Sequence, residues 1–286
     1  MAAHIALYGK GGVGTSTTAA NISAALAESG HRVMQIGFDP RHDSTEILRG
    51  EQEVGTIYDA LREPARRGGE KEIIVSGFKG VLCMESGLPV SDAACLGNGS
   101  AAVIAFLKER RFLTGLDPDF VIYDISGEAL CGCIAASLLN DLAERVFIVS
   151  SADFMSISAA NNIFRGITRH TAGVPLGGII ANGLTASFAE TIMADFALKT
   201  GTRIAGTVPR SLVVTQSALF GRTVIEAAPL SNQAYFYRRL ARHMVGIHDT
   251  FVPVPLSSKE LKEWARGWGE MILEMESGVI RGGAGI

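Results

Sequence analysis

Three kinds of residue in this chain could act together: a glycine-rich loop, acids that close apolar runs, and cysteines beside glycines. The loop is Gly9-Lys10-Gly11-Gly12-Val13-Gly14-Thr15-Ser16-Thr17. It follows the apolar run His4-Ile5-Ala6-Leu7-Tyr8 and opens a helix-forming stretch from Thr17 to Glu28. Glycines let backbone N–H groups turn inward, and a helix start favours an anion, so this context suits a phosphate cradle. Ser16 stands where a hydroxyl would ligate Mg²⁺. Thr15 stands where a P-loop carries its phosphate-binding lysine, while Lys10 directly follows the first glycine. Phosphate binding is the expectation; fast hydrolysis does not follow from this loop. A glycine-rich turn without a ligand is the plainer alternative.

Two acids sit where such a loop needs them. Asp39 ends an apolar run in Gly37-Phe38-Asp39-Pro40-Arg41-His42-Asp43-Ser44-Thr45, and Pro40 stops the strand there. Asp124 closes Val121-Ile122-Tyr123-Asp124, the arrangement of a Walker-B acid that holds Mg²⁺ through water. A carboxylate closing a buried strand is costly without a partner. The alternative for each acid is a surface carboxylate capping a helix, a role for which Asp43 is a fair candidate.

The cysteines divide. Cys95, in Ala93-Ala94-Cys95-Leu96-Gly97, and Cys131, in Leu130-Cys131-Gly132-Cys133, lie beside glycines ahead of helix-forming stretches. Backbone N–H groups there can point at sulfur and stabilise a thiolate. Cys83, inside Val81-Leu82-Cys83-Met84, reads as a small buried hydrophobe, while Cys133 fits either a ligand or a packed helix residue, packing being the favoured reading. No CxxC pair occurs, so spacing alone is weak. Two thiolates are half of a [4Fe–4S] ligand set, which a two-fold dimer would complete.

The elements that must position these groups alternate along the chain. Strands are predicted at His4–Tyr8, Val33–Phe38, Gly80–Met84, Phe120–Ile125, Arg145–Val149, Leu176–Ala181 and Arg203–Val208. Helices are predicted near 16–29, 56–66, 99–112, 132–142, 156–171, 186–200, 230–246 and 258–275. Uninterrupted apolar strands imply burial on both faces, and alternation implies right-handed crossovers. The fold class is therefore α/β: one domain over 1–275, a parallel sheet covered by helices on both faces, then a flexible tail over 276–286. Ligands in such sheets bind at the carboxyl ends of the strands, where Gly9, Asp39 and Asp124 all fall. A net charge of −3 over 286 residues gives no case for nucleic acid or an anionic membrane. No signal-peptide pattern or long apolar run is present, so a cytoplasmic location with free or ligating thiols is expected.

Taken together these segments resemble the nitrogenase iron protein family, ATP-dependent reductases that include the iron proteins of light-independent chlorophyll synthesis. The likeness covers about residues 4 to 250. Besides the loop and the Asp39–Thr45 segment it rests on Cys83-Met84-Glu85-Ser86-Gly87, Cys95-Leu96-Gly97 and Tyr123-Asp124-Ile125-Ser126-Gly127-Glu128-Ala129-Leu130-Cys131-Gly132. Ser158–Ile163 and Val208-Pro209-Arg210 extend it.

The resemblance implies a homodimer holding one [4Fe–4S] cluster through Cys95 and Cys131 of both chains, with Mg-ATP or ADP on each. Lys10 resembles the signature lysine that reaches the other subunit's phosphates. Asp39, Asp124 and Glu128 resemble the acids of the switch segments, with Arg41 beside the phosphates. Asn182, Pro209, Arg210, Gln233 and Tyr237 would line the base side. A nitrogenase-like catalytic component would receive single electrons supplied by a ferredoxin or flavodoxin. Three departures stand out: Thr15 for the loop lysine, Glu128 for an aspartate, and Asn98 for an arginine beside the cluster. The first predicts weakened hydrolysis, and the third a different docking partner. A non-hydrolysing, cluster-carrying nucleotide switch and a cluster-free ATPase are the alternative readings.

Overall fold

Apolar runs that show no polar face need cover on both sides, and the chain supplies it. The computed structural model describes residues 2–39, 41–62, 73–87, 98–109, 113–127, 142–170 and 174–277. Strands β1 (Ala3–Gly9), β2 (Val33–Phe38), β3 (Val75–Ser76), β4 (Leu82–Glu85), β5 (Phe120–Ser126), β6 (Arg145–Ser150), β7 (Leu176–Leu184) and β8 (Ile204–Pro209) form one sheet. Their order is β3-β4-β2-β5-β1-β6-β7-β8. In β1, Ile5 and Leu7 face one buried cluster while Ala6 and Tyr8 face the other. All pairings from β4 to β8 are parallel, as alternation predicts.

Helix α1 (Thr15–Glu28) carries β1 back over the sheet to β2. Its alanines at 19, 20, 24, 25 and 27 are buried, so the helix lies close against the sheet and the helix Asn232–Gly246. Gly30, at φ +92°, ends it. On the other face, the helix Ser258–Ser277 docks through Trp264 and Trp268, whose indole N–H groups both donate to Asp195 of the helix Ser187–Lys199.

Several expectations need correction. The predicted strand at Gly80–Met84 runs instead from Leu82 to Glu85, because a 3₁₀ turn at Phe78–Gly80, with Lys79 at φ 53°, occupies its start. The sheet is not wholly parallel, since the two-residue β3 runs antiparallel to β4 at the edge. Short helices at Glu46–Arg49, Leu212–Leu219 and Val224–Ala227 were not anticipated. Asp43 does not cap the first of these; Thr45 occupies that position. The helix Ser258–Ser277 continues through the first two residues assigned to a tail; 278–286 lie outside the described residues, as does the predicted helix at 132–142 apart from residue 142. Among the described residues, no helix is long and apolar enough to cross a membrane.

Candidate functional site

The strand order explains why the site forms where it does. The chain leaves β1 on one side for β2 and later returns to insert β5 between them, while β6 to β8 extend the other side. A crevice opens at the carboxyl end of β1, between loops that depart in opposite directions. Gly9, Ser126 and Val149 are brought level there by the register of β5 and β6 on β1.

The loop after β1 needs its glycines. Gly12 and Gly14 have φ of +79° and +90°, left-handed values that side chains disfavour. A Cβ on Gly9 would lie 2.5 Å from Thr15 Oγ1 and 2.8 Å from the carbonyl oxygen of Val149. Asn182, at the end of β7, donates from Nδ2 to the Val13 carbonyl at 2.7 Å and so braces the loop from behind. Gly127 N–H donates to the Gly9 carbonyl at 2.7 Å, tying the end of β5 to the loop. The Thr15 hydroxyl is buried with no hydrogen-bond partner among the described residues.

Two grooves meet at Gly14 and Thr17. The first, about 310 Å³, is lined by Lys10, Gly11, Gly12, Gly14 to Thr17, Asp39, Arg41, Asp43, Ser44, Glu46 and Ile47. The second, about 450 Å³, is lined by Asn182, Gly183, Thr185, Val208, Pro209, Arg210 and Tyr237, with Ser211, Leu212, Val214 and Thr215 from the start of the helix Leu212–Leu219. Gln233 lies behind this groove, donating to the Pro209 carbonyl at 3.3 Å. Sequence analysis therefore brought Lys10, Asp39 and Arg41 to one groove, and Asn182, Pro209, Arg210 and Tyr237 to the other. It missed Ser211, Leu212, Val214 and Thr215, which carry no motif and are recognisable only once β8 is placed beside β7.

Asp124 is the most constrained acid. It is buried at the end of β5, and its Oδ2 accepts from Ser44 Oγ at 2.6 Å while the Ser16 hydroxyl also donates to the carboxylate. Its Oδ1 is buried with no partner among the described residues. Burial pushes its pKa up to about 6, against the pull of both hydroxyls. A buried carboxylate oxygen aimed beside a phosphate loop, with Ser16 on it, fits a bound cation and its water. Asp39 is also buried; Arg41 covers it, donating from its main-chain N–H at 2.8 Å and from Nε at 3.2 Å. Asp43 takes the same Nε at 3.3 Å, and its pKa is raised by burial and then by nearby Asp39. The groove thus concentrates negative charge that a cation would relieve.

One acid went unremarked in the sequence. Glu85 ends β4 fully buried, and its Oε1 accepts both the Thr45 N–H at 2.8 Å and the Thr45 hydroxyl at 2.6 Å. Burial pushes its pKa up to about 7. The signal was available: like Asp124, it is an acid closing an apolar strand.

Cys95, Cys131, Cys133 and Glu128 lie outside the described residues. Cys83 is buried, its thiol donates to the Val81 carbonyl at 3.6 Å, and burial raises its pKa to about 12. A thiol held protonated in this way is a core residue and not a ligand, as its strand position predicted.

Similarity to known proteins follows the same lines. The profile described as 4Fe-4S iron sulfur cluster binding proteins, NifH/frxC family, matches residues 3–271. Nitrogenase iron protein 2 of Paenibacillus durus is 45% identical over 278 residues, spanning 96% of this chain and 95% of that protein. Nitrogenase iron protein 2 of Methanothermobacter thermautotrophicus is 44% identical over 262 residues, spanning 92% and 97%. Among solved structures, a ParA family ATPase from Chlorobium tepidum matches with a TM-score of 0.67 at 19% identity, covering 85% of this chain and 98% of that one. The cell division ATPase MinD of Pyrococcus furiosus matches with a TM-score of 0.64 at 19% identity, covering 86% and 99%. At such identities these structures speak for the fold alone, a largely parallel α/β sheet covered by helices.

Proposed function

The chain belongs to the NifH/frxC family of 4Fe-4S cluster-binding proteins, and from that premise we propose that it is the homodimeric, ATP-dependent reductase component of a nitrogenase-like system. The observation that carries this reading is Asp124. It is buried at the end of β5, bonded to Ser16 and Ser44, and continuous in sequence with the segment that bears Cys131. A shift of Mg²⁺ or phosphate at Asp124 would be felt along that segment, so nucleotide state and docking geometry are coupled.

Each residue has a task. Gly9 to Thr17 would hold the phosphates, and Ser16 and Asp124 would hold a Mg²⁺ ion that offsets phosphate charge. Asp39 and Glu128 orient the attacking water, and Lys10 reaches the phosphates of the partner chain. Asn182, Pro209, Arg210, Gln233 and Tyr237 shape the base site. Cys95 and Cys131 of two chains would hold a [4Fe–4S] cluster, which supplies a one-electron donor when bound. The partner would be a nitrogenase-like catalytic component, and a ferredoxin or flavodoxin the source of electrons. Asn98 at the start of the helix Asn98–Glu109 leaves that docking surface without the cation the family usually places there, which favours a partner of different charge.

Thr15 favours a second reading, a nucleotide switch that turns over slowly. Its hydroxyl provides no charge for the β/γ-phosphates, a loss of roughly 1.5–3 kcal/mol of interaction. Anaerobic purification tests the cluster directly. About four iron atoms per pair of chains are expected, lost in Cys95→Ser and in Cys131→Ser but kept in Cys83→Ser. Colourless, iron-free protein overturns the reading in favour of a cluster-free ATPase, and iron retained in either of the first two variants overturns Cys95 and Cys131 as the ligands.

A further inference from the structure

The segment Asp39–Thr45 borders the phosphate groove, yet its own side chains do not explain why it stops where it does. Its far end is pinned by buried polar groups. Gln35 Nε2 donates to the Ser44 carbonyl at 3.0 Å and to Ser44 Oγ at 3.2 Å, and Ser23 Oγ donates to Gln35 Oε1 at 2.8 Å. Ser44 is thereby aimed at Asp124. The next residue, Thr45, opens the helix Glu46–Arg49 but makes no side-chain cap to it. Its hydroxyl is given to Glu85 instead, on the neighbouring parallel strand.

The strands are shaped for this contact. Gly37 of β2 pairs with Glu85, and a Cβ at Gly37 would lie 2.0 Å from Glu85 Oε2 and 2.4 Å from Ser44 Cβ. Only a glycine leaves room for the carboxyl and the returning segment together. Ser86 N–H donates to the Gly37 carbonyl at 2.8 Å and holds the end of β4 in place. A buried carboxyl is an expensive way to fasten a loop that apolar packing would fasten more cheaply. Its advantage is directional: two short donations to one oxygen fix the register of Thr45, and with it Ser44.

We propose that Glu85 is a positioning residue of the nucleotide site, clamping Thr45 so that Ser44 stays on Asp124. The proposal rests on the reading of Asp124 as the acid that holds Mg²⁺. It predicts that the clamp supports Mg²⁺-dependent binding and not nucleotide binding in general.

The experiment measures binding of ADP, with Mg²⁺ and with EDTA, together with the rate of tryptic cleavage after Arg41 in the nucleotide-free protein. Thr45→Val removes the hydroxyl and keeps the shape. It is expected to weaken MgADP binding about tenfold while metal-free ADP binding changes less than about twofold, the scale of one hydrogen bond to a carboxylate. Cleavage after Arg41 should speed up several-fold. Thr45→Ser should restore both readouts, and Glu85→Gln, which keeps the accepting oxygen, should lie between Thr45→Val and the unaltered protein. Equal losses with and without Mg²⁺, or cleavage unchanged in Thr45→Val, would overturn the proposal. If Thr45→Val fails to fold, Glu85→Gln decides the matter by the same two readouts. Should the unaltered protein show no Mg²⁺ effect on ADP, the reading of Asp124 fails, and the cleavage rate alone still judges the clamp.

Discussion

Gly14 divides the candidate site, and its two sides are built from opposite materials. One groove is walled by Asp39, Asp43 and Glu46, with Lys10 and Arg41 also lining it and Asp124 behind Ser44. The other is walled by Asn182, Val208, Pro209 and Tyr237, with Arg210 the one charged side chain lining it among the described residues. On the acidic side, hydrogen bonds run from side chain to side chain across long stretches of sequence, as from Ser44 to Asp124 and from Thr45 to Glu85. On the neutral side they run from amide side chains to backbone carbonyls, as from Asn182 to Val13 and from Gln233 to Pro209. The neutral groove is held by hydrogen bonds within the chain. The acidic groove gathers carboxylates that Arg41 offsets in part, at Asp39 and Asp43, and that a bound cation would offset further. Response to ligand should therefore concentrate on the acidic side.

The largest expected effect restores the missing charge to that side. Thr15→Lys should raise ATP turnover on the order of a hundredfold, since a donor aimed at developing phosphate charge typically contributes that much. Phosphate release at saturating MgATP is the measurement. Equal fast rates in both proteins would mean that Lys10 already supplies the charge from the partner chain, and the contrast between the grooves would lose its main consequence.

How much of this was legible in the sequence follows the same division. The loop, Asp39 and Asp124 could be read directly because each sits at the end of a β-strand whose apolar run is unmistakable, and strand ends in a parallel sheet share one edge. Asn182, Pro209 and Tyr237 of the neutral groove came only through family likeness, because neutral groups gathered from β7, β8 and a distant helix leave no local pattern. Glu85 escaped notice although it repeats the Asp124 pattern. Its partner Thr45 lies across a strand pairing that spacing does not reveal. The antiparallel β3 escaped because two residues are too few to show a period.

The second effect belongs to stability and takes its sign from Glu85. Its pKa is raised from 4.5 to about 7 by burial, so the folded protein keeps a proton that the unfolded chain gives up. Stability from this group is complete below pH 4.5 and declines as pH rises through the window up to about 7. The decline is at most about 3 kcal/mol by linkage. In Glu85→Gln nothing titrates at this position. The stability difference between the unaltered protein and the variant should shrink as pH rises from 4.5 to 7.5, measured by urea unfolding without nucleotide. A difference that stays flat or grows would place Glu85 as an ionised partner of Thr45 throughout, and the acidic groove would then be less strained than its burial implies.

The smallest effect is expected on the neutral side, where Tyr237 is buried and its hydroxyl is hydrogen-bonded to Gln233. Burial raises its pKa to about 12, so it stays protonated over the whole range in which Glu85 titrates. Tyr237→Phe keeps the ring that packs against the core and removes one neutral hydrogen bond, a change of about 0.5–1.5 kcal/mol in stability. Nucleotide affinity should shift less than about threefold, equally with and without Mg²⁺, because no charge and no metal contact is altered. An Mg²⁺-dependent loss in this variant would mean that the two grooves respond as one unit through Gly14, and that the neutral wall is not the fixed reference against which the acidic wall moves.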